Sequence, residues 1–176
     1  RTNRFECIPF GLEDGLASIE CSGGGQPAAV RDSAGRLWFA NLKGVVAIDP
    51  RRLHLNRVPP PVRIESVLQD GIPVDDRPFD PADDTHPHVV RAGTTRLEFE
   101  YFATSYIAPN LVEYRVKVEG LDRDWREVGG RRMVYVTRPR PGLGRVLVQA
   151  RNHQGTWGPV TATYVYQVTP LLWQYW

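Results

Sequence analysis

Residues 113–120 read EYRVKVEG, and the alternation inside them decides the fold. Tyr114, Val116 and Val118 fall on one side of an extended chain and Arg115, Lys117 and Glu119 on the other, because successive side chains of a strand point to opposite faces. A segment so patterned has one buried face and one wet face. The same alternation runs through Leu97, Phe99 and Tyr101 in RLEFEYF and through Val146, Val148 and Ala150 in GRVLVQARN. It recurs through Ala162, Tyr164, Tyr166 and Val168 in TATYVYQV. Fifteen prolines and sixteen glycines break the chain between these runs, and no helical period is sustained. Short β-branched and aromatic runs bounded by turn residues predict an all-β protein.

Composition sets the outer bounds. The 176 residues are enough for one full core and a smaller element, and 41% hydrophobic with 24% charged residues is ordinary for a folded chain. Twenty-two Lys and Arg against twenty Asp and Glu give +2, without a block of like charge, so no nucleic-acid footprint is written in the sequence. No apolar run approaches the ~18 residues of a membrane span. The chain begins at Arg1 without a charged-then-apolar leader and ends on TPLLWQYW, so it reads as a piece of a longer protein. Cys7 and Cys21 are close enough to close a short loop in an oxidising compartment, but small buried thiols are the commoner use of two cysteines in a chain this size, and sequence alone does not supply the Cα separation a bridge requires.

The first 50 residues differ from the rest. PAAVRDSAGRLWFANLKGVVAIDP is three short strands joined by DSAG and LKG, where Gly35 and Gly44 can take the positive φ of tight hairpins. RFECIPFGLEDGLASIECSGGGQ upstream adds one more strand and a Gly-rich loop, which makes a unit the size of a propeller blade.

EDGL followed by DSAGRLWFANLKGVVAIDP resembles the last repeat of the two-component regulator propeller family. The remainder of the chain resembles the triple-tyrosine (Y_Y_Y) domain that the family places after its propellers. The resemblance rests on NRVPPPVRIESVLQDG, LEFEYFATSYIAPNLVEYRVKVEGLDRDW, VYVTRPRPG, VQARNHQGTWGP and VTPLLWQYW. It implies a last propeller repeat over residues 1–57, an immunoglobulin- or fibronectin III-like β-sandwich over 58–170 and a juxtamembrane tail over 171–176. Tyr114 and Tyr135 match tyrosine positions of the family. Gly144 stands where a tyrosine usually follows the Pro-Gly turn, a departure expected to weaken one core contact.

No motif reads as an active site. Asp122 and Asp124 in GLDRDW lack the serial oxygen ligands and distal glutamate of a calcium loop, and a turn leading Trp125 back to the core is expected. Gly142 and Gly144 among Arg138, Arg140 and Arg145 lead into a strand rather than a helix, so the segment is a hairpin and not a phosphate cradle. His86 and His88, with Asp83 and Asp84 nearby, lack a third strong ligand for zinc. No Gly-x-Ser-x-Gly and no His-Asp pair with a credible serine appears. Trp38, Trp125 and Trp157 fall on family positions and are expected in the structural core with Tyr114 and Tyr135, rather than on a sugar-stacking platform. No catalytic residue, metal or cofactor is expected.

The resemblance implies a non-catalytic, periplasmic sensor module of an inner-membrane receptor. Ligands, often oligosaccharides, would be read by propellers outside this chain, the receptor would form a homodimer, and a change would pass to a transmembrane helix and a histidine kinase or diguanylate cyclase. Because the strand edges of residues 1–57 are open, the fragment is expected either to self-associate through them or to dock that blade onto its own sandwich. Trp173, Tyr175 and Trp176 would then form an aromatic collar at the headgroup level, with the anchor just after Trp176. The alternative from another class is a fibronectin-like carbohydrate-binding accessory domain of a secreted enzyme, which needs an exposed aromatic platform.

Overall fold

The computed structural model describes residues 9–53, 55–74, 87–106, 108–155, 157–159 and 161–170. The chain divides into two compact units, Arg1–Asn56 and Arg57–Trp176. The described elements are strands and short 3-10 turns.

In the first unit, β1 (Ala29–Arg31), β2 (Leu37–Asn41) and β3 (Gly44–Ile48) form an antiparallel meander in chain order. Gly35 and Gly44 hold φ of 85° and 135°, the left-handed backbone the two hairpins require. The fourth strand expected upstream is, among the described residues, a single bridge from Cys21 to Asn41. Among the described residues of this unit, no second sheet lies over the three short strands. Asn41 is accordingly the one buried residue described in this unit, while Val30, Leu42 and Val45 are exposed.

The second unit is two sheets over one core. β4 (Val62–Gln69), β5 (Ile72–Pro73), β7 (Arg96–Ala103) and β10 (Met133–Thr137) form an antiparallel sheet in the order β10-β7-β4-β5. β6 (His88–Val90), β8 (Glu113–Val118), β9 (Arg126–Gly129), β11 (Gly142–Arg151) and β12 (Ala162–Val168) form the other, ordered β6-β12-β11-β8-β9. Only β6 and β12 run parallel among these pairs. The alternation read from sequence becomes the core: Leu97, Phe99 and Tyr101 face Tyr114, Val116, Val146, Val148, Tyr164 and Tyr166. Phe99 meets Tyr164 edge-on at 5.3 Å and Tyr101 meets Tyr114 edge-on at 5.2 Å, the arrangement ring quadrupoles favour.

Entry and exit are both pinned. Before β4, the side-chain amide of Asn152 donates to the Val58 carbonyl at 3.0 Å, and Thr104 N–H donates to Pro61 at 3.1 Å. After β12, Thr169 N–H and Oγ1 donate to the Val90 carbonyl at 3.2 and 3.1 Å.

Candidate functional site

The five-stranded sheet carries on its wet face a stack that alternates tryptophan and arginine. Arg115 leaves β8 on the side opposite Tyr114 and Val116, and its guanidinium lies 4.9 Å from the Trp125 ring and 4.8 Å from the Trp157 ring. Arg151, from β11, lies 4.5 Å from the Trp157 ring. Each cation is also fixed in its own plane. Arg115 Nε and Nη2 donate to Gln149 Oε1 at 2.8 and 2.6 Å, and Gln149 Nε2 donates to Thr161 Oγ1 at 2.8 Å. Arg151 Nε donates to Glu113 Oε2 at 2.8 Å. Desolvation between the rings lowers the pKa of Arg115, Glu127 opposes that and Arg151 adds to it. A planar, weakly hydrated guanidinium suits such a slot, where an ammonium does not.

These contacts revise the expected core. Tyr114 is fully buried, and its hydroxyl accepts the Ala103 N–H at 3.1 Å. Trp125 and Trp157 are half-buried pieces of the outer stack, because their loops cross the wet face of the sheet. Tyr135 is 50% exposed, which corrects its core assignment. The inward positions of β10 are Val134 and Val136, so Tyr135 points outward, with Arg96 5.2 Å from its ring. Trp38 is half-buried in the first unit; its indole N–H donates to Asp32 Oδ2 at 2.9 Å while Arg36 lies 5.2 Å from its ring. That indole bond first, and Arg36 after it, hold the Asp32 carboxyl down at about 2 against a smaller desolvation effect.

Gly144 also corrects an expectation. It pairs with Tyr166 across β11 and β12, and a Cβ at 144 would overlap the Tyr166 ring. The neighbouring strand's tyrosine fills the space left open at this position, so no core contact is weakened there. The missed signal was Tyr166 itself, visible in the alternation of TATYVYQV but assignable to Gly144 only once the strand register is known. Arg115 and Arg151 were missed for the same reason: their partners are remote in sequence.

The remaining motifs are structural. Asp122 Oδ2 accepts the Val118 N–H at 2.9 Å, closing the turn before Trp125. Gly142 has φ of 111° at the start of β11, where the chain crosses from β10 in the four-stranded sheet to the five-stranded one, so the expected hairpin is instead a sheet-to-sheet crossover; Arg145 pairs with Glu119 at 3.3 Å. His88 stacks on Tyr164 at 4.8 Å, while His86, Asp83 and Asp84 lie outside the described residues. Cys21 is exposed and Cys7 lies outside them, as do Trp173, Tyr175 and Trp176. No cluster of potential metal ligands occurs among the described residues, and no described helix is long and apolar enough to cross a membrane. The Tyr101 hydroxyl is buried without a hydrogen-bond partner among the described residues, and desolvation raises its pKa above the usual tyrosine range.

Residues 105–169 match the family model described as the Y_Y_Y domain. No curated protein matches the chain. Among solved structures it is similar to the extracellular domain of a protein named as a hybrid two component system from B. thetaiotaomicron. That match has 18% identity and a TM-score of 0.61, and covers 92% of this chain and 22% of that one. A second similar structure is the extracellular domain of a protein named as a one component system from the same organism. It has 13% identity and a TM-score of 0.54, and 81% of this chain and 20% of that one are covered. The chain thus spans about a fifth of the length of the structures it matches, and the likeness is one of fold.

Proposed function

With residues 105–169 matching the Y_Y_Y domain family, we propose that this chain is a non-catalytic signal-transmission module of an extracytoplasmic sensor in the bacterial inner membrane. In this reading the first unit ends a β-propeller whose other blades bind the ligand, an oligosaccharide being the favoured class. The exposed Val30, Leu42 and Val45 suit a sheet whose faces are covered by neighbouring repeats. The second unit passes the change to a transmembrane helix after Trp176, and from there to a histidine kinase or diguanylate cyclase.

The observation that carries the proposal is the seating of β12. It is an interior strand, paired along one edge with β11 and along the other with β6, and Ala162, Tyr164, Tyr166 and Val168 are buried in the core. A strand held on both edges cannot shift alone, so motion of the sandwich is carried to the point where the chain leaves it. The alternative, a carbohydrate-binding accessory domain, needs open aromatic faces, and arginines stack on Trp38, Trp125 and Trp157.

The test uses single cysteines from Thr169 to Trp176 in the full-length protein, labelled in native membranes by a water-soluble thiol reagent. Labelling should fall steeply toward Trp176 as the chain meets the headgroup level. Uniformly high labelling through Trp176 removes the membrane anchor and the sensor reading with it.

A further inference from the structure

The two sheets of the second unit end in four edge strands, and three of them carry the features that stop a strand from pairing further. β5 is two residues long and contains Pro73; β6 is three residues long. β9 joins β8 through a register shift between Tyr114 and Arg115, and carries Arg126, Glu127 and Gly129. Short length, proline, bulges and charge are the usual protections of an edge.

β10 has none of them. Met133–Thr137 reads MVYVT, without proline, glycine or charge, and pairs with β7 in unbroken register from Met133↔Glu100 to Thr137↔Arg96. Just outside the strand, Tyr101 N–H donates to the Arg132 carbonyl at 2.9 Å and Arg138 N–H donates to the Thr95 carbonyl at 2.8 Å. Even-numbered positions therefore face β7. In an antiparallel ladder the intervening residues turn both backbone groups the other way. Met133, Tyr135 and Thr137 thus present a row of N–H and C=O groups at an edge with no strand beside it among the described residues.

We propose that β10 is a strand-addition interface and that its occupant is β10 of a second copy of this chain. An antiparallel strand is its own complement about a twofold axis, so a second copy offers the same row of groups at the same spacing. Centred on Val134, the pairing places Met133 opposite Tyr135 of the second copy, a sulfur-aromatic contact that covers the half-exposed ring. This register also keeps Arg132 and Arg138 from facing each other, as they would if the pair were centred on Tyr135. Two four-stranded sheets then become one continuous sheet. The interface lies in the second unit and does not depend on the sensor reading.

The test is residue-resolved amide exchange of the 176-residue chain over a dilution series, with sedimentation on the same samples. Amides of Met133 and Tyr135, which this register pairs with each other across the two copies, should become protected as concentration rises and the dimer forms, while those of Val134 and Val136 stay protected throughout. Tyr135→Pro removes an outward N–H without breaking a bond to β7, and should weaken the dimer by roughly tenfold or more, since one backbone bond is lost from each copy. Tyr135→Lys, which keeps the backbone intact and adds edge charge, should act in the same direction. A chain that stays monomeric overturns the proposal, as does a dimer in which the Met133 and Tyr135 amides exchange freely. Protection independent of concentration, which would mean another segment of the same chain covers the edge, also overturns it.

Discussion

Gly144→Ala is a small change with an outcome whose sign depends on one neighbour. The added Cβ would overlap Tyr166 Cζ and lie 2.5 Å from Cε2 and Oη. The ring cannot swing aside, because Tyr166 is buried and packs on Phe99 at a centroid distance of 6.0 Å. Gly144 lies outside the positive-φ glycines, so alanine meets no backbone penalty and the whole cost is steric. Overpacking of this kind costs about 1 to 3 kcal/mol. At about 3 to 4 °C per kcal/mol for a unit of this size, the melting temperature should drop visibly. In a Tyr166→Leu background the overlapping atoms are gone. There the same substitution should stabilise by about 0.5 to 1 kcal/mol, because glycine inside a strand is less favourable than alanine. The double-mutant cycle, read by denaturant titration, should therefore give a coupling of about 1.5 to 4 kcal/mol. Equal effects in the two backgrounds, or no effect in the parent, would show that Tyr166 does not occupy the space beside Gly144.

Arg115→Lys should destabilise the second unit by about 1 to 2 kcal/mol, since an ammonium replaces neither the stacking nor the two bonds to Gln149; thermal unfolding with near-UV tryptophan dichroism checks it. Trp125→Ala should cost about 2 kcal/mol, below the range for a fully buried ring, and a loss above about 4 kcal/mol in urea would place that ring deeper than the structure does. The Asp32 carboxyl sits below its usual 3.8 in the fold, so its contribution is present above that value and is lost as pH falls through it toward about 2. Asp32→Asn should flatten that part of the acid titration followed by Trp38 fluorescence, and an unchanged curve would refute the indole bond.

How much of the structure was readable in the sequence depends on the range of each interaction along the chain. The inward residues of β7, β8, β11 and β12 were legible because burial on one face imposes a period of two, which any single strand displays. The turns at Gly35 and Gly44 were legible because positive φ selects glycine locally, whereas the segment at Gly142 was read as a hairpin because only the strand order shows that the chain there changes sheets. Tyr135 was misplaced because a family position names a residue type but not its side of the strand, whereas the alternation of Val134 and Val136 already turned it outward. The Arg115 stack was not legible at all. Its Trp157 partner comes from a loop beyond β11, and only the register that sets Arg115 opposite Gln149 brings the two together.

That stack also bears on why the second unit would suit a relay. The segment that enters the sandwich is held by Asn152 on Val58 and by Gly158, where an added Cβ would lie 2.6 Å from Pro59 Cβ. Trp157 stands between these two anchors in the chain and is gripped by Arg115 and Arg151 from β8 and β11. A pull on residues 58–61 is therefore resisted first by a loop that is tied through planar stacking to the middle of the five-stranded sheet. β11 lies beside β12, and Thr169, just past the end of β12, is held to β6 by its two bonds to Val90. Entry and exit are thus fastened to the same sheet, and the connection between them runs through strand pairing and two tryptophan-arginine contacts rather than through a flexible loop. Loosening the stack should cost little stability compared with emptying the core, yet it would separate the entry segment from the exit strand. In a full-length receptor, substitutions at Arg115 should for that reason reduce signalling more than their modest effect on folding would suggest.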